Sequence, residues 1–253
     1  MLKVLVKKEM AELFRSYFYD AKKNKARSKG ATAAYFVLFA LLMAGILGGM
    51  FAVLAKTLCA PLHAAGVDWL YFAMMGIIAV LLGALGSVFN TYSMLYLPKD
   101  NDLLLSLPIP VSVLMVSRLV TVYLMGLLYS GVVMLPAILV YWIQAAFTMT
   151  NLLSGLLLTA LISVFVMTVS CALGFVVAKI SLKLKRKSLI TVIVSLAFFA
   201  VYYFVVFKAQ TLISRLLSNA LAFGEAVKDA AYPIYLFGQV GVGDPIPCLV
   251  ISL

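Results

Sequence analysis

The sequence predicts an all-α fold, a polytopic transmembrane helical bundle, and three observations predict it. Of 253 residues, 65% are apolar and only 11% charged, with a mean hydropathy of +1.12, too little polar material to cover a soluble domain of this length. Apolar stretches of roughly 20 residues recur, each long enough at about 1.5 Å per residue to cross a hydrocarbon core of about 30 Å. These stretches lack the period-2 alternation of a membrane barrel. Lipid offers no hydrogen bonds to a free backbone, so they must be helical.

The first unit, residues 1–30, has Leu2, Leu5, Val6, Met10, Leu13, Phe14, Tyr17 and Phe18 at three- and four-residue intervals. Lys3, Lys7, Lys8, Glu9, Glu12 and Arg15 lie between them. This is the spacing of an amphipathic helix. Its basic polar face and aromatic apolar face suit a helix lying in the headgroup region ahead of the first span, and a helix packed on a soluble partner has the same pattern. No short apolar h-region with a small-residue cleavage site precedes the first span, which is therefore expected to stay as an anchor.

The second unit, residues 31–253, is the transmembrane domain. Complete spans are expected at 33–55, 69–92, 119–143, 152–177 and 189–207, and the apolar residues 247–253 read as the interrupted start of a sixth. Residues 208–244 are expected to be part helix, with Pro233, Gly238, Gly241, Gly243, Pro245 and Pro247 breaking it before the chain re-enters the membrane. Nine lysines and arginines precede the first span. Lys99 and Arg118 lie between the second and third, and five more, from Lys179 to Lys187, between the fourth and fifth. The opposite loops hold only Lys56, Lys208, Arg215 and Lys228. The asymmetry puts the N-terminus in the cytoplasm of a multi-pass cell-membrane protein. It also accounts for the net charge of +11 without a nucleic-acid partner: these cations flank spans beside an anionic leaflet.

Chemistry-bearing patterns are sparse. The spans as drawn contain no ionisable side chain, which removes the machinery of proton coupling and of intramembrane metalloproteolysis. His63 reads as a loop residue, and Cys59, Cys171 and Cys248 show no metal-ligand spacing. No HExxH or GxSxG occurs. Gly-Val-Gly at 241–243 lacks the Lys-Ser/Thr of a phosphate loop, so neither an enzyme activity nor a cofactor is expected. Uncharged polar residues do fall inside spans, including Asn90, Ser130, Thr159 and Ser163. They are candidates for lining a pathway, while interhelical hydrogen bonding is the commoner use of such groups. Gly45 and Gly49 form a GxxxG, Gly83 and Gly86 offer a second small face, and Pro136 is expected to kink the third span.

The most informative stretch is cytoplasmic. Lys99, Asp100 and Asp102 precede Leu103, Leu104, Leu105, Leu107 and Pro108, the layout of an acid-capped, Leu-rich short helix with a proline stop. Those leucines bury either against the bilayer and neighbouring helices or in a groove on a cytoplasmic partner.

The run Lys99-Asp100-Asn101-Asp102-Leu103-Leu104-Leu105-Ser106-Leu107-Pro108-Ile109, the Ser117-Arg118-Leu119 opening of the next span and the basic N-terminal helix together resemble the membrane permeases of ABC-2 type exporters, particularly the large bacterial ones found beside a separate ATPase. The likeness extends over the whole chain in layout and is motif-like over 97–145. It implies a transmembrane subunit that forms a translocation pathway and pairs with a second permease half or subunit. It further implies coupling to a cytoplasmic ATPase through the loop bearing Lys99, Asp100, Asp102, Leu103, Leu104, Leu105, Leu107 and Pro108. A membrane scaffold or sensor without transport activity is the alternative.

Overall fold

The structure is a computed structural model that describes residues 1–14, 19–20, 25–26, 28–96, 106, 109–145, 148–183 and 219–243, with isolated positions between 192 and 208. Helix α1 (Leu2–Leu13) opens the chain. It is followed by a minimal antiparallel pair, β1 (Tyr19–Asp20) and β2 (Lys25–Ala26), with Tyr19 opposite Ala26. Helix α2 is continuous through Lys29–Leu41, a π-helical stretch at Leu42–Leu47 and Gly48–Ala64. Helix α3 comprises Asp68–Thr91 and a second π-helical stretch, Tyr92–Tyr96. Helices α4 (Val111–Gln144) and α5 (Met149–Lys183) follow and, among the described residues, two short ones come after them, α6 (Ala220–Ala230) and α7 (Tyr232–Val242).

Among the described residues, four helices are long and apolar enough to cross a membrane: Thr32–Ala64, Asp68–Tyr96, Val111–Gln144 and Met149–Ser181. They correspond to the first four expected spans, each extended by the turns that carry the chain beyond the hydrocarbon. Most of the fifth expected span, 189–207, and all of 247–253 lie outside the described residues.

Helix α4 is the hub, packing against α1, α2, α3 and α5. The core runs along its inner face, where Val133, Met134, Ala137 and Ile138 meet Met75 and Ala79 of α3 and Leu158, Ile162 and Val166 of α5, all almost fully buried. Hydrocarbon solvates such side chains as well as protein does, so the gain here is close packing rather than escape from water. Small residues provide it. A Cβ at Gly83 would sit 2.9 Å from Val166, and one at Gly155 would sit 2.7 Å from Ile138. The Gly45–Gly49 motif does not serve this purpose within the chain: around Gly49 there is nothing within 4 Å.

The structure bears on several of the expected features. The first helix ends at Leu13, and Phe14 turns out of it to pack 5.9 Å from Phe36 and 6.4 Å from Phe39 of α2. Pro136 lies within α4, against Gly48. In the 208–244 segment the helix does break just ahead of Pro233, which starts α7, but Gly238 and Gly241 lie inside α7 rather than breaking it. Proline fits the first turn of a helix because the amide it lacks would have no partner there. The two glycines allow α7 to lie directly on the Trp69 backbone and the Phe72 ring of α3. The left-handed residue that ends α7 is Gly243, at φ 99°.

Candidate functional site

The residues that join α1 to the bundle make the most polar buried site. On α1, Leu5 and Glu9 are one turn apart and are the two buried residues of the helix. Leu5 packs with Leu114, flanked by Ile109 and Val113. Glu9, only 4% exposed, points at the first turns of α4. There Ser117 donates to Glu9 Oε1 at 3.1 Å and Thr121 donates to Oε2 at 3.0 Å. Arg118 Nε lies 3.9 Å from Oε1, and Arg118 is 6% exposed. The same two hydroxyls lie 2.8 and 2.9 Å from the carbonyls of Leu114 and Ser117, alternative acceptors for the single proton that each carries.

Such an arrangement is held together by mutual dependence. A buried carboxylate is tolerated only when paired and hydrogen-bonded, and deleting either charge takes a partner from the other. Helix α1 is therefore latched to α4 rather than merely lying beside it. An adjoining flank of α1 carries an ordinary surface pair, Lys8 to Glu12 at 3.0 Å.

This junction was only partly legible. The sequence pattern groups Glu9 with the polar face, although it falls in register with Leu5 and Leu13. An acid in an apolar stripe was the available signal. Arg118, assigned to the loop, lies inside α4 together with Ser117 and Thr121, so the long helices are not free of ionisable groups: Lys56, His63, Asp68 and Lys179 also lie within helical elements.

The residues expected to contact a partner, Lys99, Asp100, Asp102, Leu103, Leu104, Leu105, Leu107 and Pro108, lie outside the described residues. What is described is where their segment rejoins the bundle: Ile109 packs beside Leu5 and Leu114, next to the Glu9 latch.

The candidate pathway residues are distributed along the helices. Ser130 and Ser163 meet across α4 and α5 at 3.0 Å. Thr159 donates to the Gly155 carbonyl at 2.9 Å, and Ser163 to the Thr159 carbonyl at 2.8 Å. Asn90 is half-buried near the end of the straight part of α3. The same use of hydroxyls recurs where Ser87 and Ser170 join α3 to α5 at 2.6 Å. The Ser130–Ser163 and Ser87–Ser170 pairs join helices, whereas the Thr159 and Ser163 bonds to carbonyls lie within α5.

At the other end of the bundle Asp68, in the first turn of α3, accepts from Tyr141 at 3.2 Å and lies 2.9 Å from His63 Nδ1. One carboxylate thus ties together the ends of α2, α3 and α4. Among the described residues no group of three or more His, Cys, Asp or Glu is placed to hold a metal ion.

Compared with known proteins, the chain matches no family model, no curated protein and no solved structure.

Proposed function

We propose that this chain is the transmembrane subunit of an ATP-driven exporter of the ABC-2 type, working with a cytoplasmic ATPase supplied by another polypeptide and with a second permease half or subunit. The observation that carries the reading is the convergence at one end of the bundle. Helix α1 and the end of the 97–110 segment both bear on the first turns of α4, and α4 is the helix that contacts α2, α3 and α5. The basic segments place that end in the cytoplasm.

In this mechanism, nucleotide-driven closure of the ATPase pair pushes on the loop from Asp100 to Ile109. The Glu9 latch makes α1 and the first turns of α4 move as one body. Displacement of α4 then shifts its contacts with α2, α3 and α5 between two packings, as close-packed helices shift between discrete arrangements rather than deform smoothly. Asn90, Ser130, Thr159 and Ser163 are the polar groups available along a pathway.

The test is co-purification of the protein from its native membrane, with identification of bound proteins and an ATPase assay on the complex. Asp102→Lys and Leu104→Asp should abolish stimulated ATPase activity and leave membrane insertion intact. Purification with no bound ATPase would refute the exporter reading and leave a scaffold or sensor as the better account.

A further inference from the structure

A lateral cavity of about 270 Å³ lies between α3, α5 and α7. Its walls are Phe72, Ala73, Gly76, Ile77, Val80 and Leu81 on α3 and Leu158, Ile162 and Phe165 on α5, under a roof of Pro233, Ile234 and Phe237 from α7. All of these residues are apolar. A water molecule needs two to four polar partners to settle in a cavity, whereas an apolar cavity of about 150 Å³ stays dry and takes up benzene. This one is larger and has an opening. Ile77, Leu81 and Phe165 at its mouth are 44%, 40% and 49% exposed, on helices long and apolar enough to cross a membrane, so the medium at the mouth is hydrocarbon.

Above the roof the chemistry changes. Trp69 packs edge-on against Tyr235 at 4.9 Å, Tyr232 lies 5.9 Å from Tyr235, and Lys228 Nζ sits 5.0 Å over the Tyr235 ring. Tryptophan, tyrosine and a lysine reaching outward are the side chains that mark the headgroup level of a bilayer. Exposed Glu225 and Asp229 share helix α6 with Lys228, so this rim presents both signs of charge and complements a zwitterionic headgroup rather than an anionic one.

We infer that this cavity is a binding site for one acyl chain of a zwitterionic bilayer phospholipid, which enters sideways between α3 and α5 beneath α7 while its headgroup rests at the Trp69–Tyr235–Lys228 rim. The inference rests on the membrane-spanning character of the bundle and is independent of the exporter reading; failure to find an ATPase leaves it standing.

Trp69, one turn above Ala73, is the reporter. The full chain carrying Trp142→Phe is placed in nanodiscs of phosphatidylcholine doped with phosphatidylcholine brominated near the carboxyl end of one acyl chain. Trp69 emission should be quenched. Ile77→Phe and Leu81→Phe fill the mouth from its exposed side without touching the core, and each should cause a loss of that quenching. Val53→Phe, at a site 66% exposed on α2, should leave it unchanged. Brominated phosphatidylglycerol should quench no more strongly than the choline lipid. Equal quenching in the parent and both mouth variants would overturn the inference, as would equal loss in Val53→Phe. Crosslinking between copies through Ile77→Cys would overturn it too, by identifying a second copy as the occupant.

Discussion

Deleting the Glu9 carboxylate should release α1 from the bundle without unfolding it. The two hydroxyls that bond Glu9 lose little, because Ser117 and Thr121 keep their backbone acceptors. The cost comes from the buried Arg118, which loses its contact with the Glu9 carboxylate. Removing one member of a buried pair costs about 3–5 kcal/mol. The lower end applies here, because at 3.9 Å the Arg118 contact is longer than a direct hydrogen bond. A loss of about 3 kcal/mol raises the population of a locally opened state about a hundredfold. The assay is the labelling rate of Leu5→Cys by a water-soluble maleimide, in a background lacking Cys59, Cys171 and Cys248. Glu9→Ala should raise that rate about a hundredfold, while a cysteine at core position Val133 stays protected. Glu9→Gln, which keeps the shape and one acceptor, should fall between. Glu9→Leu combined with Arg118→Leu should bring the rate back toward the parent value, since an apolar pair replaces a buried ion pair at little cost. Unchanged labelling in Glu9→Ala, or strictly additive single changes, would refute the latch.

Three other perturbations test the remaining structure. Gly238→Ala would drive a methyl group into the Trp69 backbone and should detach α7, seen as protease sensitivity of residues 232–242; Gly49→Ala, with open space around it, should change thermal stability by less than about 0.5 kcal/mol. Ser163→Ala removes one interhelical hydroxyl pair and should cost about 0.6–1.7 kcal/mol in a thermal melt; a change in transport selectivity with no change in stability would instead mark a pathway residue. Asp68→Asn weakens the tie among α2, α3 and α4, costing about 1–2 kcal/mol, and should increase hydrogen exchange at 60–70 and 138–144 while leaving the α1 junction protected.

Hydropathy and length were enough to determine the class of the protein and the positions of four membrane-length helices, because a segment in lipid must satisfy its own backbone and therefore announces itself locally. The same local logic led to a helix at the start of the chain, where α1 (Leu2–Leu13) lies. It failed for Glu9, since periodicity reports that a residue lies in a stripe but not what faces the stripe. Only the docking of α1 on α4 brings Glu9 to Ser117, Arg118 and Thr121, which are more than a hundred positions away in the chain. Glycine and proline misled for a related reason. As punctuation, Pro233, Gly238 and Gly241 mark a broken segment; in the folded chain they are one helix start and two contact points, because what an absent side chain permits depends on the backbone that approaches it. The acyl-chain cavity was invisible for the same cause. Its walls come from three helices far apart in sequence, each of which, taken alone, is simply apolar.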